Sequence, residues 1–339
     1  MSYKRCSICL KFIFTMVSLQ LLQIVHGQVD FSKLDKLIEQ KKSQFGGKIA
    51  VMVWKDTLLY QKATGDLTIN TQDNVGCASA WFTAAVAMTF VDQGKISLDD
   101  KVSKFLPIYA TYAKKYLTIR HCLANTTGLA PGKGGIEGFF QKKKFETLED
   151  EVNSFASGRE IVNNPGEAFN YNDIGTNIVG RILEIVGKKT FDRLALERIF
   201  RPCAMKKTSF ASDKALNPFS GAVSTPSDYL KFLEMLRNKG TLNGKKVLSE
   251  KAIAEMQKMQ TGTAKISFLP KVVEGESYGL GNWIQADGIF NCPGLSGDWP
   301  YINVSKRYVC VIFGTPKEKD KKKAYSDIIE ELEEKLELH

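Results

Sequence analysis

Short apolar segments with the character of β-strands lie near both ends of this chain, and helical patterns fill the long stretch between them. Near the start, Lys48–Trp54 and Leu58–Thr64 are two such segments, joined by a turn. Near the end, Tyr278–Ala286, Trp299–Val304 and Arg307–Gly314 have the same character. Because these segments are short, apolar and far apart in sequence, we expect them to pair in one sheet. The pattern predicts an α+β fold: an antiparallel sheet built from both chain ends with flanking helices, plus an inserted all-helical lobe.

The same pattern sets the expected boundaries of the two lobes. We predict one domain over residues 28–339, with a sheet lobe over about 28–70 and 270–339 and a helical lobe over about 71–269. A chain of 339 residues is long enough to bury a core of this size. The predicted helices are Phe31–Gln44, Thr118–Leu123, Ile174–Val186, Phe191–Phe200, Pro226–Asn238 and Ala324–Leu336.

The first 27 residues have the features of a secretory signal peptide. Lys4 and Arg5 give a positive start, Phe12–Leu22 is apolar, and Gly27 precedes a cleavage position before Gln28. The apolar run is too short to span a bilayer convincingly. We therefore predict an exported product, periplasmic or extracellular, with no stable membrane span after processing; an uncleaved N-terminal anchor is the alternative.

The charge and the histidine content of the chain argue against several classes of function. The chain carries 47 basic and 37 acidic residues, but no nucleic-acid-binding module or basic stripe with interleaved aromatic residues, so a nucleic-acid partner is not expected. Of the three histidines, His26 lies in the predicted signal and His339 is the last residue. The third, His121, lies in a helix-like apolar stretch and is predicted to be structural. A Ser-His-Asp triad and a histidine-rich metal site are therefore disfavoured, and no metal or other cofactor is expected.

A strand-to-helix junction at Gly76–Ala85 is the strongest candidate for a functional site. The residues Trp81, Ala84, Ala85 and Met88 recur at helical spacing. Cys77 would then lie at or just before the first helical turn, where unpaired N–H groups and the positive end of the helix dipole gather. This is a favourable place for a nucleophile.

The segment Gly76–Ala85 resembles the nucleophile motif of the serine β-lactamase and penicillin-binding-protein superfamily, in its class C and esterase-like branch. The motif there is Ser-x-x-Lys followed by Trp or Met, an apolar residue, Thr, Ala and Ala. Aligned on Trp81–Ala85, the family serine falls on Cys77 and the family lysine on Ala80. Both catalytic positions of the motif are therefore changed.

Three further segments extend the resemblance to roughly residues 35 to 335. Asp92–Val102 is similar to the family's Gly-Lys-Leu-Ser-Leu-Asp-Asp-Pro-Val, and Ile119–Leu129 to its Ile-Arg-His-Leu-Leu-Ser-His-Thr-Ser-Gly-Leu. Pro165–Gly175 resembles Pro-Gly-x-x-Phe-x-Tyr-Ser-Asn-x-Gly. Several such matches in order, at suitable spacing, identify the chain as a member of this superfamily.

The resemblance implies acyl-transfer chemistry and a set of site residues. In the family a serine forms an acyl-enzyme, a lysine and a tyrosine move the proton, and two backbone N–H groups stabilise the oxyanion. Tyr171 matches the family tyrosine, and Asp173 replaces the asparagine of the same motif. Cys292 and Gly294 fall on the family's third motif, Lys-Thr-Gly or His-x-Gly, and Ser296 is a further polar group there, with a plain turn serine as the alternative.

Three functions stay open at this point. A thiol is partly ionised near neutral pH without a base, so Cys77 tolerates the loss of the lysine better than a serine would. One function is therefore a cysteine-dependent amide or ester hydrolase acting on a small molecule or peptide. The second is an inactive family member that binds a peptide, a peptidoglycan fragment or a partner protein. The third is a redox protein that uses Cys77 and Cys292.

The cysteines yield a separate prediction. Five remain after the predicted signal is removed, and we expect Cys77 to be a free thiol that is alkylated faster than Cys122, Cys203 and Cys310. A bond between Cys77 and Cys292 is not expected, because their Cα atoms must approach within about 7 Å and the family has a longer side chain at the second position.

Overall fold

The two ends of the chain meet in one antiparallel sheet, as the strand pattern predicts. The computed structural model describes residues 29–132, 145–286, 288–294, 297–316 and 321–337. The predicted signal peptide and Ser296 lie outside these residues. No helix within the described ranges combines the length and apolar character that crossing a bilayer requires.

The strands and helices are given in chain order. The strands are β1 Ile49–Lys55, β2 Thr57–Thr64, β3 Asp73–Asn74, β4 Ala168–Asn170, β5 Ser209–Phe210, β6 Ala222–Ser224, β7 Thr241–Leu242, β8 Lys245–Lys246, β9 Lys265–Phe268, β10 Ser277–Tyr278, β11 Trp283–Ala286, β12 Ile289–Asn291, β13 Trp299–Asn303 and β14 Tyr308–Gly314. The α-helices are α1 Ser32–Lys41, α2 Ser79–Asp92, α3 Val102–Phe105, α4 Ile108–Thr111, α5 Ile119–Leu123, α6 Leu148–Gly158, α7 Ile174–Gly187, α8 Phe191–Ala195, α9 Pro226–Arg237, α10 Glu250–Gln257 and α11 Lys321–Glu337.

The seven-stranded sheet has the order β10-β11-β12-β13-β14-β1-β2. Its central pair joins the two chain ends: β1 and β14 run antiparallel, with Ile49 opposite Gly314 and Trp54 opposite Val309. β2 follows β1 as a hairpin through Asp56, whose φ of 69° is left-handed. The predicted pairing of the segments near residues 48–64 with those near 278–314 is confirmed.

Successive side chains of the two central strands, β1 and β14, point alternately into two separate layers of the core. Val51, Val53 and Cys310 belong to a cluster that contains residues of α1 and α11, whereas Met52 and Val311 belong to a second cluster with α2 and α9. Successive side chains of a strand point to opposite faces, so a strand that is apolar at every position is buried on both sides. Helices therefore cover both faces of the sheet, which is the α+β arrangement expected.

Helix α2 lies in the interior of the molecule. Every residue from Ser79 to Phe90 is buried, so the helix is apolar all round instead of amphipathic. The ring of Phe82 lies 4.6 Å from that of Tyr229 and 4.8 Å from that of Phe232, both on α9. This packing fixes the N-terminal end of α2, where Cys77 lies, relative to the sheet.

The structure differs from the predicted layout in several places, among them α6 and α10, which were not predicted. The segment predicted as one strand at Tyr278–Ala286 is a hairpin of β10 and β11 that reverses near Gly281, where φ is 76°. The inserted part of the chain contains short strands, β3 to β9, in addition to its helices. Strands of two to four residues are too short for a period-two pattern, which explains why they were not predicted.

Candidate active site

Cys77 lies in a tight turn that leads directly into α2. The turn is a 3₁₀-helix over Gly76–Ala78, and α2 begins at the next residue. Gly76 has a left-handed φ of 49°, and its N–H donates to Oδ1 of Asn74 at 2.7 Å. The hydroxyl of Ser79 donates to the carbonyl oxygen of Gly76 at 2.6 Å. The backbone around Cys77 is thus held by side chains on both sides of it.

Two further hydrogen bonds tie this turn to distant parts of the chain. The N–H of Ala222, in β6, donates to the hydroxyl of Ser79 at 3.0 Å. The hydroxyl of Tyr229, in α9, donates to the carbonyl oxygen of Ala78 at 2.8 Å. A buried polar group normally has such a partner, and these contacts fix the position of the turn.

Tyr171 lies between β4 and α7 and packs among aromatic rings. Its ring centroid is 5.0 Å from that of Trp283, 5.2 Å from Phe219 and 5.8 Å from Tyr278. Phe169 contacts the same group, at 5.4 Å from Tyr278 and 5.7 Å from Trp283. Tyr171, which matches the family's proton-transfer tyrosine, therefore lies within an aromatic cluster.

Cys292 follows β12 directly and contacts the turn that carries Cys77. Its thiol donates to the carbonyl oxygens of Gly281 at 3.3 Å and Cys77 at 3.6 Å. Gly294 packs closely against the same turn, because a Cβ added to it would lie 2.4 Å from the carbonyl oxygen of Val75. The third motif is thus next to the first, as the resemblance implies.

Asp173 stands immediately before α7 and is half-buried. An acid is favoured there by the positive end of the helix dipole. The cap is supplied by its neighbour, Asn172, whose Oδ1 accepts from the N–H of Ile174 at 3.0 Å. The buried amide in this motif therefore belongs to residue 172 and serves the helix.

His121 has the structural role expected of it. Its Nδ1 accepts from the N–H of Thr118 at 3.3 Å, and the hydroxyl of Thr118 accepts from the N–H of His121 at 3.2 Å. This reciprocal pair caps the N-terminal end of α5. Burial lowers the pKa of the imidazole, which keeps it neutral as an acceptor.

The site residues are closed off from solvent. Cys77, Ala80 and Cys292 are 0% exposed and Tyr171 is 1% exposed. All of them except Cys292 belong to one apolar cluster with Phe169, Phe219, Tyr278 and Trp283, and Cys292 belongs to the neighbouring cluster. The arrangement excludes water and packs the site as part of the core.

Burial also controls the ionisation of the site. It raises the pKa of the Tyr171 phenol well above its usual value, and the neighbouring groups of Cys77, Tyr278 and Cys292 raise it further. Burial, together with the nearby Cys77, likewise raises the pKa of the Cys292 thiol. Both groups are therefore held neutral and are poor proton acceptors.

The aromatic residues around the site were not predicted from the sequence. Phe169, Phe219, Tyr278 and Trp283 come from four separate segments, and each alone is typical of an ordinary core residue. Within the described ranges, no group of three or more His, Cys, Asp or Glu side chains is arranged to hold a metal ion.

A buried acid follows the third motif and leads to a testable prediction. Asp298 is 4% exposed, its Oδ2 has no hydrogen-bond partner among the described residues, and its backbone carbonyl accepts from the N–H of Gly294. Burial raises the pKa of its carboxyl well above normal; Asp73 raises it further, whereas Lys321 opposes the shift.

Replacing Asp298 with asparagine is expected to stabilise the protein at neutral pH. The unfolded chain ionises this acid above about pH 3.9, whereas the folded chain resists ionisation, so wild-type stability falls as pH rises through that range. Each unit by which the pKa is raised corresponds to about 1.4 kcal/mol. Denaturant unfolding of Asp298→Asn at pH 3 and pH 7 measures this, with the exposed Asp66→Asn as the control. Equal effects at both pH values would contradict the prediction.

Comparison with known proteins places this site in a family context. The sequence model of the Beta-lactamase family matches residues 34–331. The chain is 25% identical over 284 residues to Protein Rv1367c of Mycobacterium tuberculosis, covering 64% of this chain and 70% of the relative. It is 23% identical over 303 residues to Penicillin-binding protein 4 of Amycolatopsis lactamdurans, covering 75% and 76%.

One solved structure resembles the fold of this chain over most of the chain's length. The "putative beta-lactamase" of Bacteroides dorei superposes with a TM-score of 0.81 at 26% sequence identity, covering 91% of this chain and 99% of the other. The residues that differ from the Ser-x-x-Lys pattern, Cys77 and Ala80, therefore lie within a fold of the same type.

Proposed function

This chain belongs to the Beta-lactamase family, and from that premise we propose that it is a catalytically inactive member that binds a peptide, a peptidoglycan fragment or a partner protein. The observation that carries the proposal is the environment of Tyr171. This phenol is the remaining proton-transfer group of the family site, and its pKa is raised by burial and by the nearby side chains of Cys77, Tyr278 and Cys292. Ala80 stands at the position of the family lysine, so the cation that would lower the pKa of this phenol in the family is replaced by a methyl group, and Tyr171 is a poor base.

The burial of Cys77 supports the same conclusion. A nucleophile must reach the substrate carbonyl, yet Cys77 is 0% exposed and packs with aromatic residues. Reactive cysteines lie in partly exposed, electropositive surroundings, whereas buried apolar cysteines are inert.

Exposed apolar residues on the surface of the same lobe support a binding role, and one of them, Ile266, pairs next to the buried site. Ile266, on β9, is 50% exposed and lies opposite Phe169 of β4, two residues before Tyr171. Val162 is 53% exposed, and its N–H donates to the carbonyl oxygen of Gly128. Both side chains are about half exposed, and we infer that this exposed apolar surface contacts an apolar portion of a ligand.

The first test measures turnover. The full chain is incubated with a panel of β-lactams and p-nitrophenyl esters, and hydrolysis and intact mass are followed for the wild type and Cys77→Ala. We expect no acyl adduct and equal, background rates for both proteins. Turnover or acylation that Cys77→Ala abolishes would overturn the proposal and establish a cysteine-dependent hydrolase, the second candidate, which the position of Cys77 at the start of α2 favours.

A second test measures binding. Calorimetric titration with a synthetic peptidoglycan stem peptide and with soluble peptidoglycan fragments is expected to give saturable binding without cleavage. Ile266→Asp should weaken it at least about tenfold, equivalent to 1.4 kcal/mol. Leu58→Asp, at a 41% exposed position on β2, is the matched control. An equal loss in both variants would show that Ile266 is not part of the binding surface.

A further inference from the structure

The two exposed aromatic side chains of the described residues lie in one lysine-rich segment. Tyr112 is 44% exposed and Tyr116 is 62% exposed, whereas every other Phe, Tyr and Trp in the described ranges is buried or half-buried. The segment 101–118, which contains α3 and α4, carries four lysines and no acidic residue. Exposed aromatic surface and positive charge therefore coincide in one short stretch, outside the candidate active site.

Two of these lysines have no carboxylate partner among the described residues. Lys101 forms a β-bridge with Thr118, so the two ends of the segment meet, and its ammonium group donates to the carbonyl oxygen of Tyr116 at 3.3 Å. The ammonium group of Lys115 lies 5.1 Å from the ring centre of Tyr116. Both positive charges therefore stand beside an exposed tyrosine ring.

The acids that border the segment are already paired. Asp100 accepts from the ammonium group of Lys104 at 2.8 Å, and Asp99 accepts from Nε of Arg120 at 2.8 Å. The same arginine also pairs with Glu255. None of these carboxylates pairs with Lys101 or Lys115, so the net charge of this surface is positive.

A buried lysine and local hydrogen bonds hold the turn that carries the two tyrosines. Lys114 is 7% exposed, and its ammonium group donates to the carbonyl oxygens of Ala156 at 2.7 Å and Tyr112 at 3.4 Å. Its backbone N–H donates to the carbonyl oxygen of Tyr109 at 2.7 Å, and that of Leu117 donates to the carbonyl oxygen of Lys114 at 3.2 Å. Because these backbone donors are used within the turn, binding of a partner is left to side chains on a preformed surface.

We propose that the surface formed by Lys101, Tyr112, Lys115 and Tyr116 binds an acidic polysaccharide. The ammonium groups pair with the carboxylates of the sugar acids. The tyrosine rings offer flat apolar faces on which sugar rings stack, and hydroxyl groups that exchange hydrogen bonds with sugar hydroxyls.

The composition of the segment argues against a lipid surface. A lipid-binding surface inserts apolar side chains below the headgroups. The aliphatic and phenylalanine side chains of this segment face the interior instead: Val102, Leu106 and Leu117 are buried, and Phe105 and Ile108 are half-buried.

The same composition disfavours a nucleic acid. Arginine, with its bidentate fork, is the side chain suited to recognise phosphate, and the segment contains none. This surface revises the expectation from the sequence, in which no basic stripe with interleaved aromatic residues was recognised. The lysines and tyrosines are separated there by core residues, and only the fold shows which of them share the surface.

The experiment titrates the full chain with an alginate oligosaccharide in a calorimeter, at low and high salt. We expect saturable binding that weakens as salt screens the charges. Replacing both Lys101 and Lys115 with glutamine should weaken it at least about tenfold, equivalent to 1.4 kcal/mol, and Tyr116→Ala should also weaken it. The matched control replaces Lys245 and Lys246, two exposed lysines of β8, with glutamine; it lowers the net charge equally and should change affinity less than about twofold.

Several outcomes would overturn the proposal. These are the absence of saturable binding, equal losses in the two double variants, and equal binding of neutral maltohexaose. Tighter binding to phosphatidylglycerol vesicles or to oligodeoxythymidine would also overturn it. Binding of the stem peptide should be unchanged in the Lys101 and Lys115 double variant, so this proposal and the proposed function can fail separately.

Discussion

Replacing Ala80 with lysine is expected to lower the free energy of unfolding by roughly 3–5 kcal/mol, the usual cost of an uncompensated buried charge. Ala80 is 0% exposed and packs in the cluster that contains Phe169, Tyr171 and Trp283. A lysine there brings an ammonium group into a site with no acidic partner placed to receive it among the contacts described above. The substitution restores the family residue, yet we expect it to damage this fold. Denaturant unfolding at pH 7 measures the change.

Two control variants separate the effect of the buried charge on stability from the effect of the added side-chain volume. Ala80→Met adds a side chain of similar length without a charge and is expected to cost about 1–3 kcal/mol, as overpacking does. Ala110→Lys places the charge at an exposed position on α4 and is expected to change stability by less than about 0.5 kcal/mol. If Ala80→Lys unfolds at the same denaturant concentration as the wild type, the site has room for a lysine and is not closed as described.

The second large effect is expected from Gly281→Ala. Gly281 has a φ of 76°, and a Cβ on it would lie 2.6 Å from the carbonyl oxygen of Ala80 and 2.8 Å from the Cβ of Ala84. The left-handed conformation costs about 1–2 kcal/mol for an alanine, and the clash with the α2 backbone adds about 1–3 kcal/mol. We therefore expect a loss of roughly 2–5 kcal/mol in the free energy of unfolding, by the same two estimates.

Gly47→Ala is the matched control for this prediction. Gly47 has a similar φ of 86°, but a Cβ there meets no atom within 4 Å. Its substitution isolates the conformational strain, so the difference between the two variants measures the contact between the β10–β11 hairpin and α2. Equal losses would show that this contact is not tight.

The parts of the fold that the sequence predicts are those with a local pattern. The strands β1, β2, β13 and β14 and the helices α1, α2, α7, α9 and α11 have apolar runs or periodic faces that are visible in a short window. The positions of Cys77 and Tyr171 followed from motifs, whose spacing is equally local. The short strands of the inserted lobe have no such signature.

The closure of the site is a property of tertiary structure, and no local pattern contains it. Phe219 lies before β6 and Trp283 begins β11, and only the folded chain brings both to Tyr171. Each residue type is common in ordinary cores, so its presence predicts burial but not the position it fills. The loss of the lysine was visible at Ala80; the aromatic packing around that position was not.

The pairing of β1 with β14 also determines the order in which this protein can assemble. As the chain is synthesised, β1 emerges about 260 residues before the strand that will lie beside it. Until then β1 has β2 as its neighbour and α1 has already been made, but β14, α9 and α11, which complete its pairing and its packing, are encoded later. Such long-range closure slows folding, because chain entropy must be lost before the contact forms. The central strand of the sheet is therefore among the first made and among the last completed.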